Sequence, residues 1–243
     1  MKNKNKIATL NFLSNLLLRG ISIFSAPVFS RLLGTSGYGI VSVYNVWTRI
    51  LGVLLPMQSN MTIVNAKVEF SEEEQKQYQS SILTMSLMGF AIAAVVCALF
   101  LKPISSLIKL PGILIFLMLL QAFGNFTTSF AGSKYTYEFK AGRNFFMSVG
   151  ITLASLGLSL VLVLSLPQES RYLGRIWGNV IVYAGLGAVL TVGILRQGRS
   201  YFRPEYWKFC LVLAIPMVFY SLSDMFLAQS DQIMLQTMLD STS

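Results

Sequence analysis

The 243 residues are 54% hydrophobic and only 12% charged, with a formal net charge of +9 and a mean hydropathy of +0.62. A soluble domain carries roughly twice that charged fraction, and the apolar residues come in long blocks separated by short charged segments. This pattern excludes an ordinary soluble enzyme and predicts an all-α, polytopic transmembrane helix bundle of about seven membrane-spanning helices.

The amino-terminal Met-Lys-Asn-Lys-Asn-Lys reads as the cytosolic flank of an uncleaved first helix. The apolar block behind it is too long for a signal peptide, holds Arg19, and lacks a small-residue cleavage site. The first helix is predicted over 7–33, kinked at Pro27. Its polar residues Asn11, Ser14, Asn15, Arg19, Ser22 and Ser25 fall within roughly 160° of arc, making one wet face. The turn Leu33-Gly34-Thr35-Ser36-Gly37-Tyr38-Gly39 leads to a second helix over 37–66. There Ser42, Asn45, Arg49, Gly52, Pro56 and Asn60 share a side.

A charged loop is expected over 67–79, with Glu72-Glu73-Glu74 capping the start of a helical turn. The third helix, 80–101, is almost wholly apolar, and a loop over 102–111 carries two prolines and two lysines. The fourth, 112–132, presents Gln121, Asn125, Thr128 and Gly132 on one face. After a hydrophilic loop over 133–144, the fifth helix, 145–166, aligns Ser148, Thr152, Ser155 and Ser159. Small residues at this spacing read as close helix–helix packing rather than a substrate path. The sixth helix, 173–195, is rich in glycine, and a basic loop over 196–208 precedes a seventh, 209–228, with Pro216 and Asp224.

With the amino terminus inside, twelve of the 19 Lys and Arg residues fall in inner segments and five in outer ones, Arg19 and Arg49 being left within helices. Basic residues favour the cytoplasmic side, so that orientation is expected. Their placement also accounts for the charge without nucleic acid. Histidine is absent, which removes imidazole metal ligands and imidazole acid–base catalysis. No P-loop, dinucleotide turn or Cys/His cluster is present, so no enzyme, metal or cofactor is expected. Cys97 and Cys210 lie in apolar stretches and read as packing residues rather than a disulfide.

A charge at membrane depth costs at least ~2.5–3.5 kcal/mol on insertion scales. Arg19 and Arg49 are therefore expected to face a wet cavity with Asn15, Asn45, Gln121 and Asn125. Guanidinium forks match phosphate oxygens, which points to an anionic substrate. The alternative for Arg19 is a structural partner for Asp224 or for helix-end carbonyls. Asp224 is a candidate ion-coupling group, responsive to protons or Na⁺.

Phe24-Ser25-Ala26-Pro27-Val28-Phe29-Ser30-Arg31-Leu32-Leu33-Gly34-Thr35-Ser36-Gly37-Tyr38-Gly39, continued by Ser42-Val43-Tyr44-Asn45-Val46-Trp47, resembles the opening of the polysaccharide flippases of O-antigen and teichoic acid type. These belong to the multidrug/oligosaccharidyl-lipid/polysaccharide exporter superfamily. Ser230-Asp231-Gln232-Ile233-Met234-Leu235 is similar to a second family segment. The resemblance implies two six-helix bundles around a central cavity with alternating access. Residues 1–205 would form the first bundle and 206–243 the truncated start of the second. It implies transport of an undecaprenyl-diphosphate-linked oligosaccharide across the cytoplasmic (inner) membrane for O-antigen, capsule or teichoic acid synthesis. Polysaccharide polymerase and chain-length machinery are the implied partners, beside the bilayer. Related lipid II flippases carry cavity arginines in their first two helices, comparable to Arg19 and Arg49. The alternatives are a multidrug exporter of the same superfamily, a non-transporting scaffold, and an integral-membrane glycosyltransferase.

Overall fold

The computed structural model describes the backbone of residues 2–240 and the side chains of 16–227 apart from Ser22. Every regular element among the described residues is helical. The first, α1 (Lys2–Leu54), is broken at Gly34, whose φ of 68° and ψ of 175° lie where an L side chain is strained. The break reverses the chain, so that Ser25 before it and Arg49 after it line one cavity. The predicted first and second helices are thus two limbs meeting at one residue, and Pro27 stays inside the first limb.

The second limb ends at Leu54, well short of the predicted 66, because Pro56 removes a donor and crowds the preceding residue. Met57 and Gln58 then take left-handed φ, and a single 3₁₀ turn (Ser59–Thr62) leads into α2 (Ile63–Glu69). Irregular backbone inside a bundle survives only where its polar groups are satisfied. Here the Met57, Ser59 and Met61 N–H groups donate to the Leu54, Pro56 and Gln58 carbonyls at 3.2, 3.1 and 2.9 Å. Side chains pin the segment: Ser59 meets Ser86 at 3.0 Å, Asn60 donates to Ser129 Oγ at 3.2 Å, and Thr62 meets the Tyr78 hydroxyl at 2.6 Å.

Helix α3 (Glu72–Leu99) begins inside the segment expected to be a loop. Ser71 caps it: its Oγ accepts from Glu74 N, and the Glu74 carboxylate accepts from Ser71 N at 2.9 Å. Replacing Ser71 with Ala should cost about 1 kcal/mol, visible as a small fall in the melting temperature of the detergent-solubilised protein. The expected loop over 102–111 is instead mostly an amphipathic helix, α4 (Leu101–Ile108), whose Leu101, Ile104 and Ile108 pack inward at helical spacing. Next come α5 (Gly112–Tyr137), α6 (Ala141–Ser165), α7 (Arg171–Gly198) and α8 (Pro204–Asp240). The hydrophilic segment 133–144 is thereby largely absorbed into helices.

Among the described residues, six helices are long and apolar enough to cross a membrane, the first being the broken run Leu16–Leu54. Multiple spans of this kind make a multi-pass membrane protein. The hub is α5: 67% of its most apolar stretch is buried, against at most 28% in any other span. Around it Gly124 lies against the backbone of Tyr183 and Ala184 of α7, and Gly187 against Gly124. Such close approaches between small residues supply packing where lipid offers no hydrophobic drive. The first half of α8 joins the same core, with Tyr206, Cys210 and Ala214 buried among Tyr78, Ile82 and Phe130. Both cysteines are free.

Candidate functional site

One face of α5 carries Gln121, Asn125, Thr128, Gly132 and Thr136, repeating every three or four residues. On α7, Arg175, Asn179 and Tyr183 are spaced four apart and share a face. Together with both limbs of α1 and the part of α6 up to Leu156, these stripes enclose three adjoining hollows. The first, about 470 Å³ and near the Gly34 reversal, holds Asn45, Arg49, Gln121 and Arg175. The second, about 210 Å³, shares Gln121, Asn125, Arg175 and Tyr183 with it. The third, about 580 Å³, shares Asn125, Thr152 and Tyr183 with the second and extends to Thr136 and Tyr137. Between Gln121 and Tyr137 the path follows α5 for about 24 Å at 1.5 Å per residue, most of a ~30 Å hydrocarbon core.

The path is cationic. No carboxylate stands among its described lining residues, while Arg49 and Arg175 face the first hollow. Arg175 lies over the Phe29 ring at 4.0 Å, and its Nη1 is buried without a hydrogen-bond partner. A buried charged donor left unmatched is costly. Neither arginine makes an ion pair, the two bridges among the described residues being those of Glu138 with Lys134 and Lys140. The Tyr44 hydroxyl donates to Gln121 Oε1 at 3.0 Å, which fixes the amide and leaves its nitrogen as a donor.

The model of the polysaccharide biosynthesis protein family matches residues 6–243. The chain belongs to that family. No curated protein and no solved structure matches it. The family match spans both stretches that carried the resemblance, of which the side chains of 230–235 lie outside the described residues.

In this member of the polysaccharide biosynthesis family, four of the sequence candidates come together: Asn45, Arg49, Gln121 and Asn125 line the first hollow. Arg19 does not line it and is exposed on the first limb of α1. Asp224 is exposed on α8, away from the three hollows, and makes no ion pair with Arg19. Tyr220 is likewise exposed. The side chains of Asn11, Ser14, Asn15 and Ser22 lie outside the described residues.

The small-residue stripe of α6 divides in two. Ser159 packs against Gly178, where a Cβ would stand 2.4 Å from its hydroxyl, as close packing predicts. Ser148, Thr152 and Ser155 line the path instead. Sequence reasoning misses Arg175, which reads as one of the outer flanking basics. The signal for it is the four-residue spacing to Asn179 and Tyr183.

Proposed function

We propose that the protein is a transporter, not an enzyme. It flips an undecaprenyl-diphosphate-linked oligosaccharide unit from the cytoplasmic to the outer leaflet of the cytoplasmic membrane, for assembly of a surface polysaccharide. The observation that carries this reading is the polar path holding Arg49 and Arg175, with no carboxylate among its described lining residues. Guanidinium groups bind phosphate oxygens bidentately and remain charged. Asn45, Gln121, Asn125 and Asn179 offer both donors and acceptors, which suits sugar hydroxyls. Moving such a headgroup through bare hydrocarbon would leave many polar groups unpaired, each at a cost of a few kcal/mol. The path replaces those partners.

The family's amino-terminal orientation and its two-bundle plan, with 1–205 as the first bundle, are part of this reading. A multidrug exporter is the weaker alternative. Cationic drugs seek acidic groups, and the described path presents two arginines instead.

The test replaces Arg49 with Ala and with Lys in the producing cell and measures surface polymer alongside the lipid-linked precursor. A charge-assisted hydrogen bond is worth about 1.5–3 kcal/mol, so Arg49→Ala should lower export by about tenfold or more. Precursor should accumulate, and Arg49→Lys should recover part of the loss. Normal polymer at normal protein level would overturn the proposal.

A further inference from the structure

Beside the polar path, α1 and α6 leave a second hollow of different character, an apolar groove of about 680 Å³. On α1 it runs from Leu16 to Phe29, about 20 Å at 1.5 Å per residue, more than half of a ~30 Å hydrocarbon core. Leu153, Leu156 and Leu160 form the opposite wall, and Ser25 is the one described lining residue with a polar side-chain atom. The groove is held open by glycine on both walls. At Gly20 and at Gly157 nothing lies within 4 Å of where a Cβ would stand.

An apolar groove on a membrane protein meets lipid chains as a matter of course. What sets this one apart is where it leads. Ser25 and Phe29 belong both to the groove and to the 470 Å³ hollow, and Ile21 and Leu156 both to the groove and to the 210 Å³ hollow. Phe29 is the partition: one side lines the groove, and its ring carries the Arg175 guanidinium. A cationic, hydrogen-bonding hollow and a dry slot thus meet at one aromatic side chain. Their combined shape and charge fit an amphiphile with an anionic head and a long unbranched path for its chain.

We propose that the α1–α6 groove seats the hydrocarbon chain of the phosphate-headed lipid whose headgroup is held by Arg49 and Arg175, and that the lipid enters the path sideways between these two helices. This rests on the function proposed above. Hydrocarbon gains little by leaving other hydrocarbon, so the groove acts through position: it delivers the head beside Arg175.

The test photolabels the purified full chain in lipid nanodiscs with a polyprenyl diphosphate bearing a diazirine along its chain. Labelling is expected in residues 16–29 and 153–160, competed by undecaprenyl diphosphate and severalfold weaker for the uncharged polyprenol of equal length. Gly157→Leu and Gly20→Leu put bulk into the groove from positions where an added Cβ meets nothing within 4 Å, and each should lower labelling severalfold while leaving short-chain farnesyl diphosphate binding intact. Equal labelling by the uncharged polyprenol, labelling confined to other helices, or labelling unchanged in both variants would overturn the groove assignment. The two proposals fail differently. If farnesyl diphosphate binds the wild-type chain and is lost in Arg49→Ala while the long probe labels elsewhere, only the groove is wrong. If neither diphosphate binds the wild-type chain, the function and the groove both fall.

Discussion

Arg175→Ala is expected to abolish most transport while leaving the bundle at least as stable as the wild type. Its Nη1 is buried without a hydrogen-bond partner and it joins none of the ion pairs among the described residues, so truncation strands no opposite charge there. What truncation chiefly removes is the stacking on Phe29 at 4.0 Å, worth about 0.5–2 kcal/mol, and relief of the buried charge opposes that cost. For a bound phosphate the balance is different, because a charge-assisted fork worth about 1.5–3 kcal/mol disappears, at least tenfold in export. Arg175→Lys keeps the charge but not the planar fork, and should fall between. Surface polymer and the melting temperature in detergent, measured on the same variants, separate the two effects. Parallel falls in both would mean that Arg175 only holds the helices together.

Gly124→Val should have the opposite signature, losing the fold before the function. A Cβ at Gly124 would stand 2.4 Å from the carbonyl carbon and oxygen of Tyr183 and 2.7 Å from Ala184 N. These are backbone atoms and cannot turn aside, so α5 and α7 must separate. The cost belongs at or above the upper end of the ~1–3 kcal/mol seen for overpacking. Little monodisperse protein should survive gentle heating in detergent. Gly185→Ala is the matched control, since nothing lies within 4 Å of its added Cβ, and it should be neutral or slightly stabilising through helix propensity.

The helical membrane class is plain from the apolar blocks, and the stripe on 112–132 falls on the face of α5 that lines the hollows. What misleads is the width of an arc. In the first helix, Ser25 and Leu18 reach the path, but Arg19 sits about 100° from Leu18 around the axis. A polar face spanning roughly 160° is too broad to say which edge is the lining one. Arg175 is hidden for the converse reason. It sits in the first turns of its helix, where a basic residue reads as a flank. The helix starts at Arg171, ahead of the expected 173, which sets Arg175 a full turn in rather than at the end. The loop expected over 102–111 fails because Pro103 and the lysines outweigh the spacing of Leu101, Ile104 and Ile108, although proline is well tolerated in a first helical turn.

The lack of carboxylates along the described path bears on what energises export. Histidine is absent from the chain, so the path offers neither imidazole nor a described acid to load and release a proton as the cargo passes. An anion travelling outward across an inside-negative membrane already moves down the electrical gradient, gaining about 2.3 kcal/mol per charge for each 100 mV. On the function proposed above, the membrane potential favours outward movement of the doubly charged headgroup, and its collapse should slow export even when the pH difference is clamped.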